Sequence, residues 1–321
     1  MVELFGTVRI DWLGKRKLFF AISGVLLLIG FASLVVKRTF NYGVDFKGGT
    51  IVYVRFQDKP EIEKIRQVLR QGGASNSQIQ ELRGANAVND ILIEFEEAAH
   101  AADLASGREV ITKALNSGYG GKFEIRKVES VGAKVGSDLR RQAVLATLYA
   151  LGGMLVYIAF RFEWIYGAAA VFAVFHDTLV TLGLFSLFNR EINLTVIAAL
   201  LTLVGYSVND TIVVFDRVRE NLKIRRRDDL ETIMNDSINQ TLSRTILTSG
   251  LTFLTVLALF LFGGEIINNF AFAMVIGIIV GTYSSIAVAS PLVLIYTKLR
   301  GSLAAQPVAA PAKVPKPVKA K

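Results

Sequence analysis

Six stretches of the chain are apolar almost without interruption: Leu18–Val36, Ala143–Phe160, Trp164–Phe188, Ile192–Phe215, Leu242–Phe262 and Phe270–Tyr296. Each approaches or exceeds the ~20 helical residues that cross a hydrocarbon core of roughly 30 Å. The pattern therefore predicts six transmembrane helices. Between the first two runs it changes character. "TIVYVRF" (Thr50–Phe56) alternates as a strand does, and Pro60–Gln71 places Ile62, Ile65 and Leu69 on one helical face behind an early proline. "SQIQELR" (Ser77–Arg83) and "DILIEFE" (Asp90–Glu96) read as strands, Asp103–Asn116 as a helix and "KFEIRKVE" (Lys122–Glu129) as a last strand. The order βαββαβ predicts an antiparallel sheet with two helices on one face, a ferredoxin-like α+β domain.

Composition agrees with the membrane reading. The 321 residues are 52% hydrophobic, and a mean hydropathy of +0.45 in a chain this long points to several crossings. The net charge of +9 matters through its placement. Lys15, Arg16 and Lys17 precede the first span. Arg217, Arg219, Lys223, Arg225, Arg226 and Arg227 separate spans four and five, and Lys298 and Arg300 follow the sixth. The connections 189–193 and 263–269 hold one basic residue between them, Arg190. Basic connections stay cytoplasmic, so both termini are expected inside and the βαββαβ segment outside. Lys37, Arg38, Arg140 and Arg141 flank a long loop, where that rule is weak.

The first span is longer than the roughly 7–15 residue core of a cleaved signal, and no small-residue cleavage pattern follows. It is expected to remain as a signal anchor. The expected division is 1–17 cytoplasmic start, 18–36 first span, 37–140 exported domain, 141–300 spans two to six and 301–321 tail. Four of six prolines and Lys313, Lys316, Lys319 and Lys321 lie in that tail, which is expected to be a disordered cytoplasmic end. With no cysteine, the exported domain must fold without disulfides.

Ionisable residues inside spans are expensive and mark candidate functional sites. Span four contains Asn209 and Asp210, and span five contains Arg244. Asp210 and Arg244 are equally far in sequence from Arg227, so antiparallel helices would bring them to similar depth. A facing guanidinium holds a carboxylate ionised, whereas a dry surrounding without it favours the neutral acid. Helix movement could thereby take up or release a proton. Thr202, Tyr206, Asn209 and Asp210 form one polar stripe; Thr241, Thr245, Thr248, Thr252 and Thr255 form another that Arg244 adjoins. The two are expected to face each other. Span three adds His176 and Asp177.

Each has a bland alternative. The ion pair could only fix packing, the threonines could only bond their own helix, and His176 with Asp177 could be a local bond. The spacing Gly277 to Gly281 is expected to allow close helix packing. No clustered Ser, His and Cys set suggests catalysis, so a non-enzyme is expected.

Four stretches carry a family resemblance: "VDFKGGT" (Val44–Thr50), "GYSVNDTIVVFDRVRE" (Gly205–Glu220), "TLSRTILTS" (Thr241–Ser249) and "IGIIVGTYSSIAVASPL" (Ile276–Leu292). Together, in this order, they resemble the SecF family, the smaller subunit of the SecD/SecF protein-export factor. The resemblance covers nearly the whole chain except the tail. It implies a six-helix half of a resistance-nodulation-division-like transporter in the bacterial inner membrane, paired with SecD. It also implies use of the proton gradient to draw unfolded preprotein through the SecYEG channel, with YajC among the partners and no cofactor. Carried onto this chain, the coupling residues are Asp210 and Arg244, joined by Asn209, Asp177 and His176. A small-molecule or lipid exporter half and a non-transporting scaffold remain alternatives. Sodium could replace the proton, because a carboxylate beside Asn and Thr oxygens can coordinate it. No nucleic-acid partner is expected.

Overall fold

The computed structural model describes residues 9–75, 77–82, 89–95, 104–161 and 164–304. Most of the tail, 305–321, lies outside them, as do Arg83, Glu96 and Asp103 at the ends of expected elements.

The described residues contain six helices long and apolar enough to cross a membrane. They are α1 (Arg16–Lys37), then, beyond the sheet domain, α5 (Ala133–Arg161), α6 (Trp164–Leu187), α7 (Leu194–Ile224), α8 (Leu230–Phe262) and a composite last span. That span is α9 (Glu265–Ser284), a π turn (Ser285–Ala289) and α10 (Ser290–Ala304). The six apolar runs thus fall on six helices, with Phe188 just beyond α6 and Ile192 and Asn193 just before α7. Helices α7 and α8 contain 31 and 33 residues, more than a bilayer needs. The basic stretch 217–227 is consequently mostly helical, not loop: α7 runs to Ile224 and α8 starts at Leu230. Asn193 caps α7 by accepting from Val196 N, and Asp229 caps α8 by accepting from Glu231 N.

Helices α6, α7 and the last span form the interior, while only small shares of the apolar stretches of α1, α5 and α8 are buried. Helix α7 packs on α8 and α9, α6 on α9, and α1 on α6. The Gly277 and Gly281 expectation holds. A Cβ on Gly277 would stand 2.4 Å from Leu203 Cδ1, and one on Gly281 3.1 Å from Ser207 Cβ, so α9 approaches α7 closely through both. At one end of the bundle the segment before α1 is tied to α8. Asn235 Oδ1 accepts from Trp12 N and Leu13 N at 3.0 Å, and Asn239 Oδ1 accepts from Trp12 Nε1 at 2.9 Å.

At the other end stands the sheet domain. Its elements are α2 (Val44–Lys47), β1 (Gly49–Phe56), α3 (Ile62–Gln71), β2 (Ser77–Glu81), β3 (Asp90–Phe95), α4 (Leu104–Tyr119) and β4 (Phe123–Val131). The strand order is β2-β3-β1-β4, all pairs antiparallel, which is the ferredoxin-like arrangement expected. Val52, Val54, Phe56, Ile91 and Ile93 on one sheet face meet Ile65, Leu69, Ile111 and Leu115 of the helices in a closed apolar core. The single turn α2 was not expected. Gly48 (φ 83°) and Gly49 (φ 144°) take the chain from it into β1 through backbone angles that side chains disfavour.

Candidate functional site: two carboxylates in the bundle interior

Helix α7 carries polar groups on two sides. On one, Ser207 faces α6 and donates its hydroxyl to Asp177 Oδ2 at 2.6 Å. Ser284 of α9 donates to the same oxygen at 2.7 Å, and His176 Nδ1 lies 3.0 Å from Asp177 Oδ1. Asp177 is fully buried and His176 nearly so. With Nδ1 bearing the proton toward the carboxylate, His176 Nε2 is left as an acceptor that nothing among the described residues engages.

On the other side, Asp210 Oδ2 accepts from Ser249 Oγ of α8 at 2.7 Å and from Thr282 Oγ1 of α9 at 3.4 Å. It too is buried. Thr282 and Ser284 are two apart on α9, so one turn of that helix supplies a hydroxyl to each carboxylate. The π turn begins directly after them. Ser285 Oγ lies 3.0 Å from Thr211 Oγ1 of α7, closing a polar seam through the middle of the bundle. Hydroxyls both donate and accept, so they can serve a charged carboxylate and its neutral acid alike.

The expected ion pair is not formed. Arg244 is exposed on α8, and no salt bridge joins it to Asp210 among the described residues. The reason is angular. Ser249 is the α8 residue that meets Asp210, and five residues at 3.6 per turn place Arg244 about 140° away around the helix. Nor do the two stripes face each other. Thr202 and Asn209 are exposed, while Thr248, Thr252 and Thr255 bond carbonyls one turn back in α8. Of the five expected site residues, the structure buries Asp177, His176 and Asp210 in the interior and leaves Asn209 and Arg244 on the outer surface. The hydroxyl partners Ser207, Ser249, Thr282 and Ser284 escaped the sequence reading. Their only signal was small polar residues inside apolar runs, as in "GTYSS".

Residues 111–299 match the family described as protein export membrane protein SecD/SecF, C-terminal, and residues 33–59 match the SecD/SecF GG motif. The protein translocase subunit SecF of Koribacter versatilis is 42% identical, over 97% of this chain and 98% of its own. That of Calditerrivibrio nitroreducens is 47% identical, over 91% and 95%. The chain belongs to the SecF family. Among solved structures, SecDF of Thermus thermophilus, a translocon-associated membrane protein, superposes with a TM-score of 0.76 at 37% identity, covering 91% of this chain. A SecDF structure in a super-membrane-facing form gives 0.70 at 37% identity and 95% coverage. This chain spans about two fifths of each of those SecDF chains: 39% and 41%. As a member of the SecF family it is a multi-pass membrane protein with a role in Sec-dependent protein export, a transport component.

Proposed function

We propose that this chain couples an ion gradient to preprotein movement, with the protonation of Asp210 as the coupling step. It would do so beside SecD in the bacterial inner membrane, with both ends cytoplasmic and the sheet domain outside. The observation that supports this most is the setting of Asp210: a carboxylate buried within a span, held by two neutral hydroxyls, with its expected cationic partner turned outward. Such a group can gain or lose a proton without breaking an ion pair. Movement of α8 about its axis would bring Arg244 toward it and favour the charged form.

The outward placement of Asn209 and Arg244 supports a protein neighbour on that face. A guanidinium against hydrocarbon costs from about 2.5 kcal/mol upward, and a companion membrane half removes that cost. SecD is the companion that fits, because the similar SecDF chains contain both halves. The sheet domain would contact unfolded preprotein emerging from SecYEG, with YajC as a further neighbour.

Preprotein export into inverted vesicles containing this chain and its SecD provides the test, with a proton gradient, a sodium gradient or neither. Wild type is expected to respond to the proton gradient. Asp210→Asn keeps the shape and removes the titratable group, so the response should vanish while insertion and SecD association persist. A gradient response surviving in Asp210→Asn would overturn the reading, and a response to sodium alone would reassign the ion.

A further inference from the structure

The bundle and the sheet domain meet at a seam that none of the coupling residues touches. Tyr42 forms a parallel bridge with Ile192 in the connection between α6 and α7. Ile192 N donates to Asn41 O at 2.8 Å, Gly43 N donates to Ile192 O at 2.9 Å, and Asp45 Oδ2 accepts from Leu194 N at 2.9 Å. Beside these bonds lies Glu191. Its side chain lies within hydrogen-bonding reach of Glu94, the fifth of the six residues of β3. Glu94 lies opposite Ile51 of β1 and Gln78 of β2, on the sheet face turned away from α3 and α4. Glu94 and Glu191 are only 8% and 9% exposed.

Two ionised carboxylates have no hydrogen to share. A direct bond between the two carboxyls therefore requires a proton, with Lys47 as a nearby cation. Gly43 makes room for it: a Cβ there would fall 2.0 Å from Glu191 Oε1. We propose that Glu94 and Glu191 form a proton-dependent latch that holds the sheet domain against the α6–α7 connection.

The surrounding charges set its working range. Burial first, then the nearby Glu94 and Asp45, push the Glu191 carboxyl up to about 7, and Lys47 opposes them. Tyr53, Lys127 and Glu129 belong to the same sheet face, where Tyr53 feels Glu94, Asp45, Glu129 and Lys127. Arg140 of α5 stands over the Tyr42 ring at 5.7 Å. Arg190 is held elsewhere, by Asn268 at 2.6 Å and over the Phe272 ring. The acid is thus stronger when the latch is open and the carboxyl solvated. The proton favours the closed state fully below the ordinary carboxylate range, and that preference is lost as pH rises through about 7. In the outward orientation proposed above, closure would follow the acidity of the export side. The latch itself requires neither that orientation nor ion coupling at Asp210.

Because the chain has no cysteine, spin labels attach only where introduced. Labels at Lys122→Cys in the sheet domain and Ile266→Cys at the start of α9 would report the distance between the two parts in the full chain with SecD in nanodiscs. The short distance is expected to dominate at about pH 5, with a longer population growing by up to ~tenfold per unit until the pH reaches about 7 and level from there to pH 9. Glu191→Gln and, separately, Glu94→Gln supply an amide donor without a proton, so each should stay closed across the range. Gly43→Ala should be open throughout. Asp210→Asn should titrate like wild type, which separates the latch from the coupling step. A wild-type distance that ignores pH, or Gln variants that titrate as wild type does, would overturn the proposal.

Discussion

In the sheet domain the closed core is built from Val, Ile, Leu, Ala and Phe side chains, and charged pairs such as Arg55 with Asp90 lie on its outer parts. In the bundle the distribution turns over. Leu, Val and Phe residues of α1, α5 and α8 are exposed, and the interior holds Asp177, Asp210, His176 and a file of serines and threonines. Water around the first region rewards the burial of apolar surface. Lipid around the second gives no such reward, so close packing and hydrogen bonds must hold the helices together. A buried polar residue therefore means something different in each region. In the sheet domain it is the exception, as at Thr50 and Glu94; in the bundle it is part of the cohesion, and only its chemistry separates a structural hydroxyl from a working acid.

The largest effect expected from breaking this contrast comes from Ile93→Ala, at a fully buried position of β3. The deletion should cost about 2–5 kcal/mol. Hydrogen exchange on the full chain should quicken in β1 and β3 and remain unchanged in α6 and α7. Equal loosening of the bundle would show that the two regions fold as one unit.

A smaller effect sharpens the comparison from the bundle side. Ser284→Ala removes one of the donors to Asp177, and bonds of this kind in membrane bundles average about 0.6 kcal/mol. Thermal unfolding should shift little, whereas gradient-driven export should fall by a larger factor if Asp177 belongs to the working set. Proportionate losses in both would assign it to packing. Thr211→Val, which breaks the contact with Ser285 and a 3.4 Å bond to the Ser207 carbonyl but touches neither carboxylate, should cost about as little in stability and leave export near wild type.

The smallest effect lies on the domain surface. Arg55 donates to Asp90 and holds its carboxyl below the ordinary range. A depressed acid stabilises the fold above the ordinary carboxylate value, and that contribution disappears as pH falls through the depressed one. Arg55→Gln should therefore loosen the domain slightly at neutral pH and change nothing below the depressed value, where Asp90 is protonated with or without its partner, as read by hydrogen exchange across an acid series.

Much of this was legible in the chain. The six apolar runs mark the spans because a bilayer imposes length and composition together, and the alternation in "TIVYVRF" and "DILIEFE" marks strands for an equally direct steric reason. Helix boundaries were less visible. The polar first turns of α8, from Leu230 to Thr241, satisfy helix formation without satisfying hydropathy, so they resembled loop. Within the site, Asp177 and Asp210 were conspicuous because a carboxylate in a span is costly. Their partners were not, since a serine passes for a small packing residue and equal depth says nothing about which way a helix is turned. That is why Arg244 looked like the partner of Asp210 and Ser249 did not. Glu191 stayed hidden for another reason. It lies in a six-residue connection, and only the fold brings Glu94 to it.

The π turn at Ser285–Ala289 has a consequence for lineage as much as for mechanics. Ser290 Oγ reaches the Ser285 carbonyl five residues back at 2.9 Å, and a π segment accommodates one residue more than an α-helix would over the same rise. Thr282 and Ser284 before it and Val293 and Leu294 after it all face inward, so the surplus residue is absorbed locally without turning either half out of phase. Excision of Ala287 should relax the segment to ordinary α-helix and leave both halves aimed as they are, whereas the same one-residue excision in the regular stretch of α7 would rotate everything beyond it by about 100°. The last span is thus the place in this bundle where the length of the chain can drift by one residue while the architecture stands still.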